Sequence, residues 1–284
     1  MISVSALSSY LYCPRKLFLE YVLKLAKPPK DVLLKGKIRH EAHERINDAE
    51  EHLVKSITKK YSLKDIQELY KKEYSEILRE TIREYKEKLL ALELDLSETF
   101  KEMWPFILNE SKIRSLNVFS FSQKNNVYGK ELWEKLIPKI ISEYPLESEK
   151  LGIRGRIDQV EMYENEFVPY ELKTGKMPEK GLWPGHRIQI GAYLLMLQEK
   201  AEKPIKEGFV RYLDNDETRQ VTMNPFFRDE ILELIKKVSL LLKSREIPPF
   251  VDNENKCNSC ELKDDCYNES KLRSLSINLN TLDS

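Results

Sequence analysis

The sequence predicts an α/β fold that combines a long helical stretch with two β-hairpins. Segments with apolar residues at every second position, separated by polar turns, predict the hairpins between about residues 152 and 222. Apolar residues at helical spacing predict helices through most of the remaining chain. The 284 residues are 41% hydrophobic and 33% charged, with only 9 glycines. This is the composition of a globular chain and not of a disordered one.

The N-terminal part predicts helices around an early cysteine. Residues 5–25 form an apolar helical pattern that breaks near Cys13-Pro14. Proline at this place suits the first turn of a new helix. Residues 36–45 predict another helix, because apolar residues recur there at roughly helical spacing.

Residues 50–150 form the longest helical stretch. Ser62 and Asp65 have the spacing of a capping box. The apolar stripe after them comprises Leu63, Ile66, Tyr70, Tyr74, Ile77 and Leu78. We interpret this stretch as a helical insertion within a single domain that covers residues 1–284.

The pattern changes from helical to β near residue 151. Residues 152–162 and 166–173 predict two strands joined by a polar turn. Because successive side chains of a strand alternate between its faces, Glu171 and Lys173 share one face. A helix over residues 187–200, a hairpin of residues 208–213 and 218–222, and a helix over residues 227–244 follow.

The overall charge excludes a generally basic, nucleic-acid-coating protein. Lys and Arg number 47, and Asp and Glu also number 47, so any DNA contact must come from a local basic groove. The sequence contains no run of about 18 apolar residues, so no membrane span is predicted. The first residues also lack the pattern of a signal peptide. We therefore expect a cytoplasmic location, where cysteines are more often metal ligands than disulfides.

A group of acidic residues in this framework suits a divalent metal ion. Asp158 lies near the end of one predicted strand and Glu171 on the neighbouring strand, and carboxylate oxygens are the ligands that Mg²⁺ and Mn²⁺ prefer. Lys173 would orient the attacking water of a phosphodiester cleavage, and His40 would complete the coordination sphere. On spacing alone, a solvated charged face explains the same residues, and His43 competes with His40.

The order of the motifs carries more information than the spacing. Gly36-x₃-His40, Gly155-Arg-Ile-Asp158, Glu171-Leu-Lys173 and Gln189-x₃-Tyr193 together resemble the motifs of the RecB-like branch of the PD-(D/E)XK nuclease superfamily. The resemblance implies a restriction-endonuclease-like core, a mixed central sheet flanked by helices. It also implies metal binding by His40, Asp158, Glu171 and the carbonyl of Leu172, catalysis by Asp158, Glu171 and Lys173, and orientation of the site or DNA contact by Gln189 and Tyr193.

The four cysteines form a second constellation, Cys13 near the start and Cys257-x₂-Cys260-x₅-Cys266 near the end. Thiolates suit zinc or an iron–sulfur cluster, and buried cysteines without a ligand are the third reading. The layout resembles the iron–sulfur subset of RecB-like nucleases, which includes the CRISPR-associated Cas-four exonucleases. The resemblance implies a cluster, [4Fe–4S] before [2Fe–2S] or zinc, that staples the termini and packs residues 246–270 against the Cys13 region.

The Cas-four resemblance implies a Mg²⁺- or Mn²⁺-dependent DNA exonuclease. It further implies 5′→3′ degradation of single-stranded DNA and prespacer processing with CRISPR integrase proteins. Two alternatives stay open at this stage. One is a stand-alone RecB-like nuclease of DNA repair or recombination, and the other is a non-catalytic iron–sulfur DNA-binding subunit.

Overall fold

The computed structural model describes residues 1–281 except 27, 29, 165 and 202–204. Its strands are β1 (Ile2–Ser3), β2 (Lys139–Ser148), β3 (Ile153–Met162), β4 (Phe167–Lys173), β5 (Glu207–Tyr212) and β6 (Glu217–Thr222). Its helices are α1 (Val4–Tyr12), α2 (Pro14–Tyr21), α3 (Asp31–Ser56), α4 (Leu63–Glu84), α5 (Lys86–Ala91), α6 (Leu96–Asn125), α7 (Gly129–Lys135), α8 (Pro184–Ala201), α9 (Pro225–Lys243), α10 (Glu254–Asn258), α11 (Lys263–Tyr267) and α12 (Glu269–Thr281). Within these described ranges, no helix is long and apolar enough to cross a membrane.

The six strands form one mixed sheet, which confirms the α/β fold class. The strand order is β1-β3-β4-β5-β6, and β2 also pairs with β3. Antiparallel pairing joins β2 to β3, β3 to β4 and β5 to β6, whereas β1–β3 and β4–β5 are parallel. The helices α1, α8 and α9 pack their apolar residues against this sheet and form its core.

The helices α3 to α7 build a second apolar core beside the sheet. The capping box of Ser62 and Asp65 is present at the start of α4, with both reciprocal hydrogen bonds. That the helical stretch is an insertion stays a prediction.

The expectation of helices up to about residue 150 is wrong at its end. The last of these helices stops at Lys135, and residues 139–148 form β2. This strand pairs with β3 along nearly its whole length. Strand formation depends strongly on pairing with distant segments, so the local sequence did not indicate it.

The two predicted hairpins are present as β3–β4 and β5–β6, with bounds within one or two residues of the expected ones. The break in the N-terminal helix falls at Cys13, between α1 and α2. A third apolar cluster joins α2 to the C-terminal segment through Phe18, Leu19 and Leu23 on one side and Leu262 and Leu272 on the other. The two ends of the chain therefore meet.

Candidate active site and cysteine site

Asp158 lies in the middle of β3, at the point where the sheet opens. The expected position near a strand end is therefore wrong. β2 and β3 are paired on both sides of Glu143 and Asp158, but not at these two residues. The β3–β4 pairing ends at Gln159 and Tyr170, one step before Asp158 and Glu171 would meet. Beyond this point Leu172 has no ladder partner on β3, and its backbone N–H donates to the Asp158 carboxylate instead.

The Asp158 carboxylate contacts α3 and β4 at once. Its Oδ2 atom accepts a hydrogen bond from the backbone N–H of Leu172 at 2.7 Å, and its Oδ1 atom lies 2.8 Å from Nε2 of His40. The hydrogen bond to Asp158 raises the pKa of His40 to about 9, against the opposing effect of burial. The motif residues His40, Asp158 and Leu172 thus come together from three separate elements.

Glu171 and Lys173 point to the same face of β4, as the alternation predicts. The Lys173 Nζ atom donates to Oε1 of Glu171 at 2.6 Å and to Oε1 of Gln189 at 3.0 Å. Glu171 is 2% exposed. Burial raises the pKa of Glu171 to about 8, and the negative charge of Asp158 adds to the effect while Lys173 opposes it. Burial by itself lowers the pKa of Lys173, but the two carboxylates outweigh it and raise the pKa.

Two motif glycines allow the close packing that builds this site. A Cβ atom on Gly36 would lie 3.0 Å from Oγ1 of Thr174, so glycine lets α3 approach the end of β4. A Cβ atom on Gly155 would lie 2.6 Å from the ring of Tyr193. Tyr193 itself donates from its hydroxyl to the carbonyl of Arg156 at 2.8 Å. The glycines therefore seat α3 and α8 against the strands that carry the acidic residues.

Gln189 and Tyr193 are both buried, with exposures of 8% and 3%. Their hydrogen bonds fit the ordering role, and which of the two expected roles they have stays a prediction. Gln189 holds Lys173, and Tyr193 holds the backbone of β3 two residues before Asp158.

His43 lies away from this group. It is buried, and burial lowers its pKa to about 3. It lines a separate cavity with Glu110, Arg211 and Asp214. Of the two histidines that compete in the sequence, the structure places His40 beside Asp158.

Glu143 joins the site although no motif identifies it. Its Oε1 atom lies 3.3 Å from Nδ1 of His40. His40, Glu143 and Asp158 each offer one ligand atom, and these atoms lie within 4.8 Å of one another. Glu143 belongs to the strand that the sequence pattern did not predict, so sequence reasoning missed it. In the structure, its left-handed backbone φ of 50° at the break in the ladder marks it as an unusual residue.

Asp214, in the turn between β5 and β6, connects α3 with the segment that follows β4. It accepts a hydrogen bond from the guanidinium of Arg39, the residue before His40. It also accepts one from the backbone N–H of Gly175, two residues after Lys173, at 2.6 Å. No sequence motif identifies Asp214, because its partners lie far away in the chain.

An open cleft of about 820 Å³ leads to the site. Its lining includes the cations Lys37, Arg45 and Lys173 and the exposed apolar side chains Val32 and Leu33. Acidic side chains of α3, namely Glu41, Glu44 and Asp48, lie along the same cleft. The cleft therefore carries charges of both signs.

The four cysteines line one shared pocket between α2 and the C-terminal segment. None of them forms a disulfide. Cys13 caps α2 and accepts a hydrogen bond from the backbone N–H of Lys16 at 3.3 Å. Burial raises the pKa of the Cys260 and Cys266 thiols. The pocket therefore gathers thiols from both ends of the chain.

Arg15 connects the two sides of this pocket. Its Nε atom donates to the Cys266 sulfur at 3.1 Å, and its other nitrogens donate to the carbonyls of Pro248 and Cys266. Its guanidinium lies 4.0 Å from the ring centre of Phe250. Arg15 follows Cys13-Pro14 directly, so this short motif supplies a thiol, a helix start and a cation to one place.

The sulfur spacing bears on which group the cysteines suit. Within the part of the chain that the structure describes, no three of the cysteine sulfurs lie within 4.8 Å of one another. Tetrahedral zinc with Zn–S bonds of about 2.3 Å needs sulfurs about 3.8 Å apart. Among the described residues, the cysteine sulfurs are therefore not drawn together as closely as in an occupied zinc site, and the iron–sulfur cluster stays a prediction.

Comparison with known proteins identifies a family for most of the chain and individual relatives for about half of it. Residues 1–267 match the model of the PD-(D/E)XK nuclease superfamily. A CRISPR-associated exonuclease Cas4/endonuclease Cas1 fusion of Myxococcus xanthus is 35% identical over 133 residues, which is 45% of this chain and 23% of the fusion. The corresponding fusion of Leptospira interrogans is 30% identical over 152 residues, covering 50% of this chain and 28% of that protein.

A relative of another kind is the DNA replication ATP-dependent helicase/nuclease JHS1 of Arabidopsis thaliana. It is 26% identical over 133 residues, which is 41% of this chain and 10% of that protein. The matched part thus spans less than a third of each of these three longer relatives.

Proposed function

Because this chain belongs to the PD-(D/E)XK nuclease superfamily, we propose that it is a metal-dependent deoxyribonuclease acting as an exonuclease. The observation that carries the proposal is the convergence of His40, Asp158, Glu171 and Lys173 beside an open cleft that His40 and Lys173 line. Superfamily members use divalent metal ions. The residues of this chain supply the oxygen and nitrogen atoms that such an ion needs.

The donor set fits Mg²⁺ or Mn²⁺. Glu171 has a buried Oε2 atom without a hydrogen-bond partner, and leaving a carboxylate oxygen in this state is costly. His40, Asp158, Glu171 and the carbonyl of Leu172 would hold the ion, and Mn²⁺ accepts the imidazole readily. When bound, the ion stabilises the charge of the phosphate and lowers the pKa of water.

Lys173 acts on the attacking water and the reacting phosphate, and Gln189 positions Lys173. The Nζ atom of Lys173 stands between two acceptor oxygens, 2.6 Å from Glu171 and 3.0 Å from Gln189. In this position the ammonium group orients the attacking water and offsets the negative charge that develops on the phosphate. Gln189 fixes the direction in which the ammonium group points.

We further propose single-stranded DNA as the substrate, degraded with 5′→3′ polarity. Lys37 and Arg45 offer contacts to the phosphate backbone along the cleft. The apolar Val32 and Leu33, 64% and 47% exposed, line the same cleft and offer surface that unpaired bases would cover. The polarity rests on the Cas-four resemblance.

CRISPR adaptation is the proposed cellular role, with prespacer processing beside integrase proteins. Two relatives unite a Cas4 exonuclease with a Cas1 endonuclease in one chain. The matched part covers 45% and 50% of this chain and leaves most of each fusion unmatched. A separate integrase partner for this chain would restore the same combination of activities.

The cysteine site is proposed to hold an iron–sulfur cluster, [4Fe–4S] in preference to [2Fe–2S] or zinc. Anaerobically purified protein should be brown and contain iron and acid-labile sulfide. Cys13→Ala should lose the colour and lower the thermal midpoint, because binding energy that requires the folded site counts toward folding. Colourless protein with one bound zinc ion would contradict the cluster, and unchanged stability of Cys13→Ala would contradict its joining of the termini.

Catalysis is tested with labelled oligonucleotides and purified protein. Asp158→Ala and Lys173→Ala should each reduce Mn²⁺-dependent cleavage by at least about a hundredfold, since lost transition-state stabilisation of several kcal/mol is expected. Lys176→Ala, which changes an exposed lysine three residues further on, should cleave like the wild type. Wild-type rates for Asp158→Ala would refute the nuclease assignment at this site.

Strandedness and polarity need separate substrates. Single- and double-stranded oligonucleotides, each blocked at the 5′ or at the 3′ end, should distinguish them. Protection by a 5′ block and slow cleavage of duplexes are the expected results. Protection by a 3′ block would reverse the polarity.

Two alternatives have their own tests. The similarity to a helicase/nuclease of DNA replication favours a repair or recombination nuclease as the second candidate. Integrase genes beside this gene would support CRISPR adaptation, and repair genes would support the alternative. A non-catalytic iron–sulfur DNA-binding subunit is the third candidate, and DNA binding without any metal-dependent cleavage would identify it.

A further inference from the structure

Glu143 stands on the opposite side of the His40 ring from Asp158. Its Oε1 atom lies 3.3 Å from Nδ1 of His40, whereas Oδ1 of Asp158 lies 2.8 Å from Nε2. The two nitrogens of one imidazole ring therefore face two different carboxylates. Only the nitrogen on the Asp158 side can donate its lone pair to an ion shared with Asp158.

The backbone at Glu143 is held in a costly conformation. Its φ of 50° is in the left-handed region, which favours glycine. The residue occupies the single missing step of an otherwise paired β2–β3 ladder, opposite Asp158. Strain of this kind persists where the surrounding structure enforces it, and it is often found at functional sites.

One further contact holds the Glu143 carboxylate. Its Oε2 atom lies 3.4 Å from Nη1 of Arg156, and its side chain is only 19% exposed. Arg156 precedes Asp158 by two residues on the same strand, so it presents its guanidinium near the same break in the ladder. The carboxylate is held from one side by Arg156 and faces His40 from the other.

We propose that Glu143 is a positioning residue that accepts a hydrogen bond from Nδ1–H of His40. This contact would fix the tautomer and leave the lone pair of Nε2 for the metal ion. Outer carboxylates commonly orient ligand histidines in this way. Glu143 does not itself bind the metal ion. The inference rests on the proposed metal site of His40, Asp158 and Glu171.

The test measures Mn²⁺ binding by calorimetry with the full chain, purified anaerobically. Glu143→Gly removes the carboxylate and suits the φ of 50°. It should weaken Mn²⁺ binding by roughly 10- to 100-fold. Its thermal midpoint without metal should equal or exceed that of the wild type, because the strain is gone. Glu147→Ala, an exposed glutamate of the same strand, is the matched control and should bind like the wild type.

Glu143→Gln separates orientation from direct ligation. The amide oxygen of glutamine still accepts from Nδ1–H, so this variant should lose much less affinity than Glu143→Gly. Pulsed electron paramagnetic resonance of bound Mn²⁺ should detect the His40 nitrogen in the wild type and in Glu143→Gln. This nitrogen signal should become weaker in Glu143→Gly.

Each contrary outcome has a distinct meaning. Unchanged Mn²⁺ affinity in Glu143→Gly would overturn the role of Glu143 and leave the metal site in place. Equal losses in Glu143→Gln and Glu143→Gly with an intact nitrogen signal would make Glu143 a ligand and overturn the positioning role. Wild-type protein that binds no Mn²⁺ would remove the proposed metal site, and the inference with it.

Discussion

The buried carboxylate of Glu171 should make the metal-free protein lose stability as the pH rises. The pKa of Glu171 is raised to about 8 in the folded protein, mainly by burial, against an ordinary value of 4.5. Between these two values the folded state holds a proton that the unfolded state has released. The free energy of unfolding therefore falls with increasing pH, by about 1.4 kcal/mol per pH unit from this group alone.

Glu171→Gln should abolish this decline because glutamine does not titrate. His43 and His186 titrate in an overlapping range with the opposite sign, since burial lowers their pKa values to about 3 and about 4. Their folded states are neutral where the unfolded histidines are charged, so they raise stability with pH up to about 6.5. The informative quantity is therefore the difference between Glu171→Gln and the wild type, in which these histidines cancel.

The assay follows thermal unfolding of both proteins in EDTA by circular dichroism between pH 5.0 and 6.5. Over this interval the variant should gain about 2 kcal/mol relative to the wild type. For a chain of this size, this corresponds to about 4–8 °C of additional separation between the thermal midpoints. Excess Mn²⁺ should reduce the separation, because it binds the ionised Glu171 carboxylate. Parallel pH profiles of the two proteins would refute the burial argument.

Two further predictions concern the histidines of α3 and the turn residue Asp214. His40→Ala should reduce Mn²⁺-dependent DNA cleavage at least about tenfold more than His43→Ala in oligonucleotide assays, because only His40 reaches Asp158; the reverse ranking would contradict this. Asp214→Ala should lower both the thermal midpoint and the cleavage rate, because it leaves the buried Arg39 guanidinium without its carboxylate partner. A wild-type midpoint and rate would show that Asp214 does not hold the site together.

The features that the sequence predicted well depend on local geometry. The alternation of a strand is sufficient to place Glu171 and Lys173 together, and the Nζ–Oε1 distance of 2.6 Å agrees with it. The helix break at Cys13-Pro14 follows from the chemistry of proline and is present. Both results need information from only a few neighbouring residues.

The features that the sequence did not predict depend on pairing between distant segments. β2 becomes a strand by pairing with β3, and this pairing brings Glu143 to His40. Asp214 reaches Arg39 across 175 residues of sequence. Motif reading names residue types at fixed local spacing, so it finds the ligands of a site more easily than the residues that hold those ligands in place.

The helical stretch is connected to the active-site region by buried charges and not only by apolar packing. Glu110 of α6 binds Arg114 on its own helix and Arg211 of β5, at 2.7 Å in both cases. Arg114 also donates to Asn47 of α3, seven residues after His40. Glu110 and Arg114 are both almost fully buried, and breaking a buried pair leaves an uncompensated charge.

This network constrains how the helical stretch can act. A segment joined only by apolar contacts could slide relative to the sheet at modest cost, whereas the Glu110–Arg211 ion pair requires a fixed register between α6 and β5. Arg211 pairs with Leu172 in the β4–β5 ladder, and Leu172 donates to Asp158. The position of α6 is thereby linked through two strands to the carboxylate at the centre of the site. The helical stretch is therefore part of the framework that holds the candidate site in place.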